Sequence, residues 1–91
     1  MDRTIHESKG EFYIGGVDSP DAQLFFEEDD NVITITSTEV TPAQREQGLG
    51  KDLVDHVVNY ARKEKKKVDP VCSFAYDVIK STPEYHVVWK E

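Results

Sequence analysis

Three neighbouring pieces of sequence decide how this chain folds: Val32-Ile33-Thr34-Ile35-Thr36-Ser37-Thr38-Glu39-Val40, then Gln44-Arg45-Glu46-Gln47-Gly48-Leu49-Gly50, then the apolar series Leu53, Val54, Val57, Val58 and Ala61. The first is β-branched and alternating, the strongest strand signal in the chain. Ile33 and Ile35 share one face with Ser37 and Glu39, and Val32, Thr34, Thr36, Thr38 and Val40 share the other. The apolar series recurs at helical spacing, with Leu49 and Tyr60 near the same face. Lys51, Asp52, Asp55, Asn59, Arg62 and Lys63 lie largely opposite, so an amphipathic helix is expected. It ends around Lys65-Lys66-Lys67, where cations offset the helix dipole.

The middle piece is the most informative chemically. The first amides of a helix have no internal partner and point outward. The dipole makes that end favourable to anions. Gly48 and Gly50 let backbone approach a ligand with no Cβ in the way, and Arg45 adds a charge that can pair with an oxyanion. The same pattern also fits a plain tight connection between strand and helix. It is not a Walker loop, because Gly50-Lys51 is followed by Asp52 and residue 45 is not glycine. It is not a dinucleotide fingerprint, because residue 53 is Leu.

Outward from this centre the reading is coarser. An apolar stretch runs from near Ile5 to Phe12-Tyr13-Ile14, followed by the turn residues Gly15-Gly16 and Ser19-Pro20-Asp21. Ala22-Gln23-Leu24-Phe25-Phe26 reads as a second strand, and Glu27-Glu28-Asp29-Asp30-Asn31 as an exposed hairpin loop. After the helix, Val68-Asp69-Pro70-Val71-Cys72 is a short strand made irregular by Pro70. Ser73 is positioned to cap a second helix, Phe74–Ser81. Pro83 breaks the chain, and Glu84–Trp89 packs as a terminal segment. The order is β-β-β-α-β-α, a mixed α+β (α/β) arrangement. An antiparallel meander precedes a βαβ unit and a short C-terminal helix.

The chain has 91 residues, which suits one small domain spanning 1–91. Its 37% apolar and 32% charged composition is that of a globular protein. No apolar run is long enough for a membrane span, and the first residues show no signal-peptide core. A cytoplasmic location without membrane association is therefore expected, and the single Cys72 agrees with it. The net charge of −7 is uneven. Residues 1–39 hold ten acids and two bases, and residues 40–91 eight acids and nine bases. The first part disfavours nucleic acid and suits a cationic substrate, and the second can accept an anion. Solubility alone explains the same imbalance.

The segment Gln44–Gly50 resembles the [Q/R]-x-x-G-x-[G/A] acetyl-CoA loop of the GCN5-related N-acetyltransferases. It stands in the right context, after a strand and before a helix. Thr38-Glu39-Val40, Gly48-Leu49-Gly50-Lys51, Tyr60-Ala61-Arg62, Val71-Cys72-Ser73-Phe74-Ala75 and Pro83-Glu84-Tyr85 resemble the very short YjdJ-type branch of that superfamily. The resemblance implies a minimal fold of that kind, acetyl-CoA as co-substrate, and transfer of an acetyl group to an unidentified amine, either a small molecule or a protein lysine. Backbone around Val40 would bond the pantetheine arm. Arg45 and the amides of Gln47, Gly48, Leu49, Gly50 and Lys51 would cradle the diphosphate. Two residues depart from the pattern: Glu46 stands where many members have Gly, and Ser37 where some have His. The chain is also short for the superfamily, which implies an acceptor side that is open or completed by a partner.

Such a transfer needs a neutral amine, a polarised carbonyl and a proton for the leaving thiolate. Glu39 is the candidate base if burial raises its pKa; otherwise it is an edge carboxylate in solvent. Cys72 precedes a helix start, where a thiolate is stabilised, and the resemblance sets it near the acetyl group. It is a candidate nucleophile, or else a small buried apolar residue. Tyr76 and Tyr85 could protonate the thiolate, though both also fit core packing. Arg62–Lys67 could meet the 3′-phosphate, but reads better as a solvated helix end. His56 is expected on the outer face of the long helix, and His6 and His86 near the termini. No spacing among them suggests a metal site. A monomer or weak dimer is expected. The alternatives to an enzyme are an acyl-CoA-binding sensor or protein-interaction module without turnover, and a small α/β interaction domain with an accidental G-x-G turn.

Overall fold

The computed structural model describes residues 3–90. Four strands form an antiparallel meander: β1 (Ile5–Ser8), β2 (Glu11–Gly15), β3 (Pro20–Glu28) and β4 (Val32–Val40). The helix α1 (Leu49–Glu64) then crosses over to β5 (Lys67–Pro70), which pairs parallel with β4 and completes the order β1-β2-β3-β4-β5. A second helix, α2 (Ser73–Lys80), follows. Short 3-10 turns occupy Pro42–Gln47 and Pro83–Tyr85. The mixed fold and the βαβ unit match the sequence reading.

The meander has four strands where three were expected. The stretch from Ile5 to Ile14 is divided at Lys9-Gly10 into a hairpin, with Ile5 opposite Ile14 and Ser8 opposite Glu11. Gly10 takes the left-handed conformation (φ 75°) that such a turn requires. The β3–β4 turn is closed by Asp29, whose Oδ1 accepts the amides of Asn31 at 2.7 Å and Val32 at 2.8 Å. Those two bonds hold its carboxyl below the usual range.

One extra residue in β4 changes which side chains face inward. Phe25 lies opposite Ser37 but Phe26 opposite Ile35, so Thr36 is bulged out of the ladder. Unbroken alternation would put Ser37 and Glu39 with Ile33 and Ile35. Instead Thr38 lies opposite Leu24 and Val40 opposite Ala22, and both of those partners are buried. A single bulge thus exchanges the two faces for the last part of the strand.

One apolar cluster lies between sheet and helices. Leu49, Leu53, Val54, Val57, Val58 and Ala61 of α1 meet Phe12, Ile14, Leu24, Phe26, Ile33 and Ile35 of the sheet, and α2 adds Ala75 and Ile79. Each fully buried Leu, Ile or Val contributes about 1.5–3 kcal/mol through removal from water. The terminal segment closes over the outer side of β5. Val68 donates to Val88 O at 2.6 Å and accepts from Lys90 at 2.8 Å, and Tyr85 and Val88 are buried. The cap of α2 is Cys72, not Ser73, which already lies inside the first turn.

At the far end of α1, Lys66 Nζ lies 2.6 Å from Glu28 Oε2, and the Tyr60 hydroxyl donates to the same carboxylate at 2.9 Å. The Lys66 hydrogen bond holds the Glu28 carboxyl below its ordinary value, against the opposing effect of burial. A carboxyl lowered by folding stabilises the fold above its unfolded value, and that contribution is lost as pH falls through the lowered one. In Lys66→Met the difference narrows. Urea midpoints between about pH 5 and about pH 3 should therefore fall less steeply in the variant than in the wild type. Superposable profiles would show that the pair contributes nothing.

Candidate functional site

β4 is paired with β5 only through Val32–Ile35, against Lys67–Pro70. The last bond between the two chains is Cys72 N–H to Ile35 O at 3.0 Å. Beyond it β4 runs on to Val40, while the other chain turns away into α2. Thr41 N–H donates to Asp21 O at 2.9 Å. By the alternation of an antiparallel ladder, Ser37 and Glu39 therefore turn their backbone groups toward β3. Thr38 and Val40 turn theirs toward the open side. This is a strand edge with hydrogen-bonding capacity to spare.

The chain then passes through the Pro42–Gln47 turn to Gly48, which is left-handed (φ 76°, ψ 19°) and forms the junction with α1. A Cβ on Gly48 would meet nothing within 4 Å, so the residue is set by its backbone angle and not by space. The first amide bonded within the helix is Asp52, to Gly48 O at 3.1 Å. The amides of Leu49, Gly50 and Lys51 precede it at the positive end of the dipole.

Strand edge and helix start meet in a cleft of about 650 Å³. Thr38 and Val40 line one side, Gly48, Gly50 and Lys51 the other, and Arg45, Glu39 and Phe74 complete it. Of the residues singled out from sequence, Glu39, Val40, Arg45, Gly48, Gly50 and Lys51 thus come together. Leu49 is a core residue, so only its backbone is available to a ligand. The Gln47 side chain is not part of the lining, and its carbonyl accepts a hydrogen bond from Arg3.

Cys72 is half-buried beside the cleft, its Sγ 3.6 Å from Thr38 Oγ1. Glu39 is exposed, opposite Gln23, because the bulge turns it away from the core face. The burial that the base role presupposed is not there. The Tyr85 hydroxyl donates to Asp55 Oδ1 at 2.7 Å, and its phenol is pushed up to about 12 by burial first and by Asp55 second. Tyr85 is a packing residue, and it does not line the cleft. Tyr76 contacts Trp89, with ring centroids 5.8 Å apart, and also lies outside the lining.

Part of the basic run is engaged elsewhere: Arg62 Nη2 donates to Glu84 O at 2.5 Å and Lys67 Nζ to Val87 O at 2.7 Å. Arg62 stands roughly 20 Å along the helix from its start. His56 is half-buried and not outward-facing, 2.7 Å from Glu7 and edge-on to Phe12.

Three contributors were not singled out as site residues, the first of them Thr38, which lines the cleft. Phe74 reaches from the first turn of α2 to the first turn of α1, and a Cβ on Gly50 would lie 2.9 Å from its ring. The space beside Gly50 therefore belongs to an aromatic side chain. Arg3 joins Asp52 Oδ2 at 2.6 Å and the Gln47 carbonyl. No local pattern marks Arg3, since its partners are 49 and 44 residues away.

Residues 11–88 match the model of a family described as GCN5-related N-acetyl-transferase. A GCN5-like protein from Staphylococcus aureus, known from its NMR solution structure, superposes with a TM-score of 0.82 at 31% identity. The match covers 96% of this chain and 87% of that one. No curated protein matches the chain.

The two glycines should respond differently to the same substitution. Gly48→Ala forces a side chain into the left-handed region and should lower stability by about 1 kcal/mol. Gly50→Ala gains about 0.5–1 kcal/mol of helix propensity and must displace the Phe74 ring. Its net change in urea denaturation should be small, with the Phe74 ring-proton NMR signals shifted. Equal losses in the two variants, with those signals unmoved, would contradict this division.

Proposed function

The chain belongs to the GCN5-related N-acetyl-transferase family, and from that premise we propose that it binds acetyl-CoA in the cleft between β4 and α1 and passes the acetyl group to an amine. The observation that carries this reading is the meeting of two complementary features in one cleft of about 650 Å³. One is the open edge of β4, the other the amides at the start of α1, which have no partner among the described residues. Ligand pockets commonly measure about 300–1,000 Å³, so the size fits.

In this reading the edge of Thr38–Val40 holds an extended arm by strand-like hydrogen bonds. The amides from Gln47 to Lys51 bind the diphosphate, and Arg45 adds a charge-assisted bond. Lys51 lines the same wall and offsets part of the phosphate charge. Acetyl-CoA supplies an activated acyl group and a thiolate leaving group. Thr38 and Cys72 then mark the end of the cleft where that acyl group lies. Glu39, at the solvent edge, orients the incoming amine, whose proton leaves to water. Cys72 offers a second route. Its sulfur attacks the acyl carbon, the bond to the departing thiolate breaks, and the amine then takes the acetyl from Cys72. Exposure of Glu39 favours a competing reading, an acyl-CoA-binding module without turnover.

A titration with acetyl-CoA followed by amide NMR tests the donor site. Amides of Gln47 to Lys51 and of Thr38 to Val40 should shift together, and Arg45→Ala should weaken binding about tenfold. Saturating acetyl-CoA that leaves this loop unmoved would remove the proposal. Intact mass after incubation separates the routes. A species heavier by one acetyl unit, absent in Cys72→Ala, indicates the covalent one; its absence with amine product formed indicates direct transfer. No product with a broad panel of amines would leave the binding module.

A further inference from the structure

We propose that Arg3 is a positioning residue for the acetyl-CoA site, holding the donor turn in its binding shape and cancelling the one carboxylate in the first turn of α1. The inference rests on the donor reading above and adds a residue to it from the opposite end of the chain.

The geometry is specific. Arg3 Nη1 lies 2.6 Å from Asp52 Oδ2, and Nη2 donates to the Gln47 carbonyl. Gln47 ends the 3-10 turn, and Asp52 lies in the first turn of α1. Gly48 stands between them in the left-handed conformation, with nothing near the position of a Cβ. The left-handed junction at Gly48 is therefore spanned by a contact from outside. A guanidinium is suited to this, since its planar fork serves two acceptors at fixed separation.

The second effect is electrostatic. Asp52 is the acidic residue in the first turn of α1. The helix dipole favours a carboxylate there, yet that carboxylate repels any anion held on the same amides. Pairing with Arg3 offsets the repulsion and leaves Arg45 and Lys51 to act on the ligand. Both ends of the Arg3 contact are partly exposed, with 43% and 41% of the side-chain surfaces accessible. The pair itself therefore adds little to global stability, and its effect should be local.

The test compares wild type, Arg3→Gln, Arg3→Lys, Asp52→Asn and the double variant Arg3→Gln with Asp52→Asn. Acetyl-CoA affinity is measured by calorimetry. Arg3→Gln should weaken binding about fivefold with an unchanged melting temperature. Lysine should restore only part, since an ammonium does not reproduce the fork. Asp52→Asn in the Arg3→Gln background should recover the charge component. Amide hydrogen exchange of Asp52 to Val54, the first bonded amides of α1, gives a readout in the free protein that needs no ligand, and it should be several-fold faster in Arg3→Gln. Equal exchange in wild type and Arg3→Gln overturns the proposal. So does equal affinity in proteins that bind. If the wild type binds no acetyl-CoA, the donor reading fails, while the exchange comparison still decides whether Arg3 holds the turn.

Discussion

Parallel pairing between β4 and β5 lasts for four residues and then stops, and the rest of the molecule is arranged around that interruption. A strand that continues without its neighbour exposes backbone groups which must find other partners. Pro70 ends β5, and the following residues enter α2 instead of extending the sheet. The bulge at Thr36 sits where the two chains part. It returns Thr38 and Val40 to the helix side, so the unpaired edge and the side chains beside it face the same opening. The crossover from β4 then brings the first turn of α1 to the same place. Strand edge and helix end are adjacent because the connection between them is short.

Much of this was legible in the chain. β-branched alternation marked β4, helical spacing marked α1, and Gly48 and Gly50 marked the turn between them. The parallel crossover followed from the order of elements. The bulge was not legible, because nothing in Thr36-Ser37-Thr38 distinguishes one threonine from another as the extra residue. Its choice depends on the ladder with β3. That one missing fact misplaced Glu39, which alternation alone would turn toward the core. The Lys9-Gly10 hairpin was also missed: Ile5 and Phe12-Tyr13-Ile14 read as one stretch, although residues 6–11 between them carry no apolar side chain. Phe74 and Arg3 escaped for the same underlying reason. Each acts on residues distant in sequence, where no spacing rule reaches.

The two ends of α1 have opposite electrostatic roles. At its start the amides have no partner among the described residues, and the cations around them are Arg3, Arg45 and Lys51. At its end, Arg62, Lys66 and Lys67 are each committed to an oxygen of the protein: Glu84 O, Glu28 and Val87 O. Three of the five cations in a basic run that looks in sequence like an anion site thus tie the helix end to the β3–β4 hairpin and the terminal segment. Near Gly48, Arg3 is taken by Asp52 and the Gln47 carbonyl, and Arg45 and Lys51 remain to meet a ligand.

Phe74 and Tyr76 stand on the same short helix, one against Gly50 and the other against Trp89. Trp89 is the one tryptophan of the chain, and His86 lies against it with ring centroids 4.9 Å apart. The indole is therefore linked, through α2, to the aromatic wall of the cleft. Its fluorescence, free of background from any other indole, reports on the packing of α2 against the terminal segment.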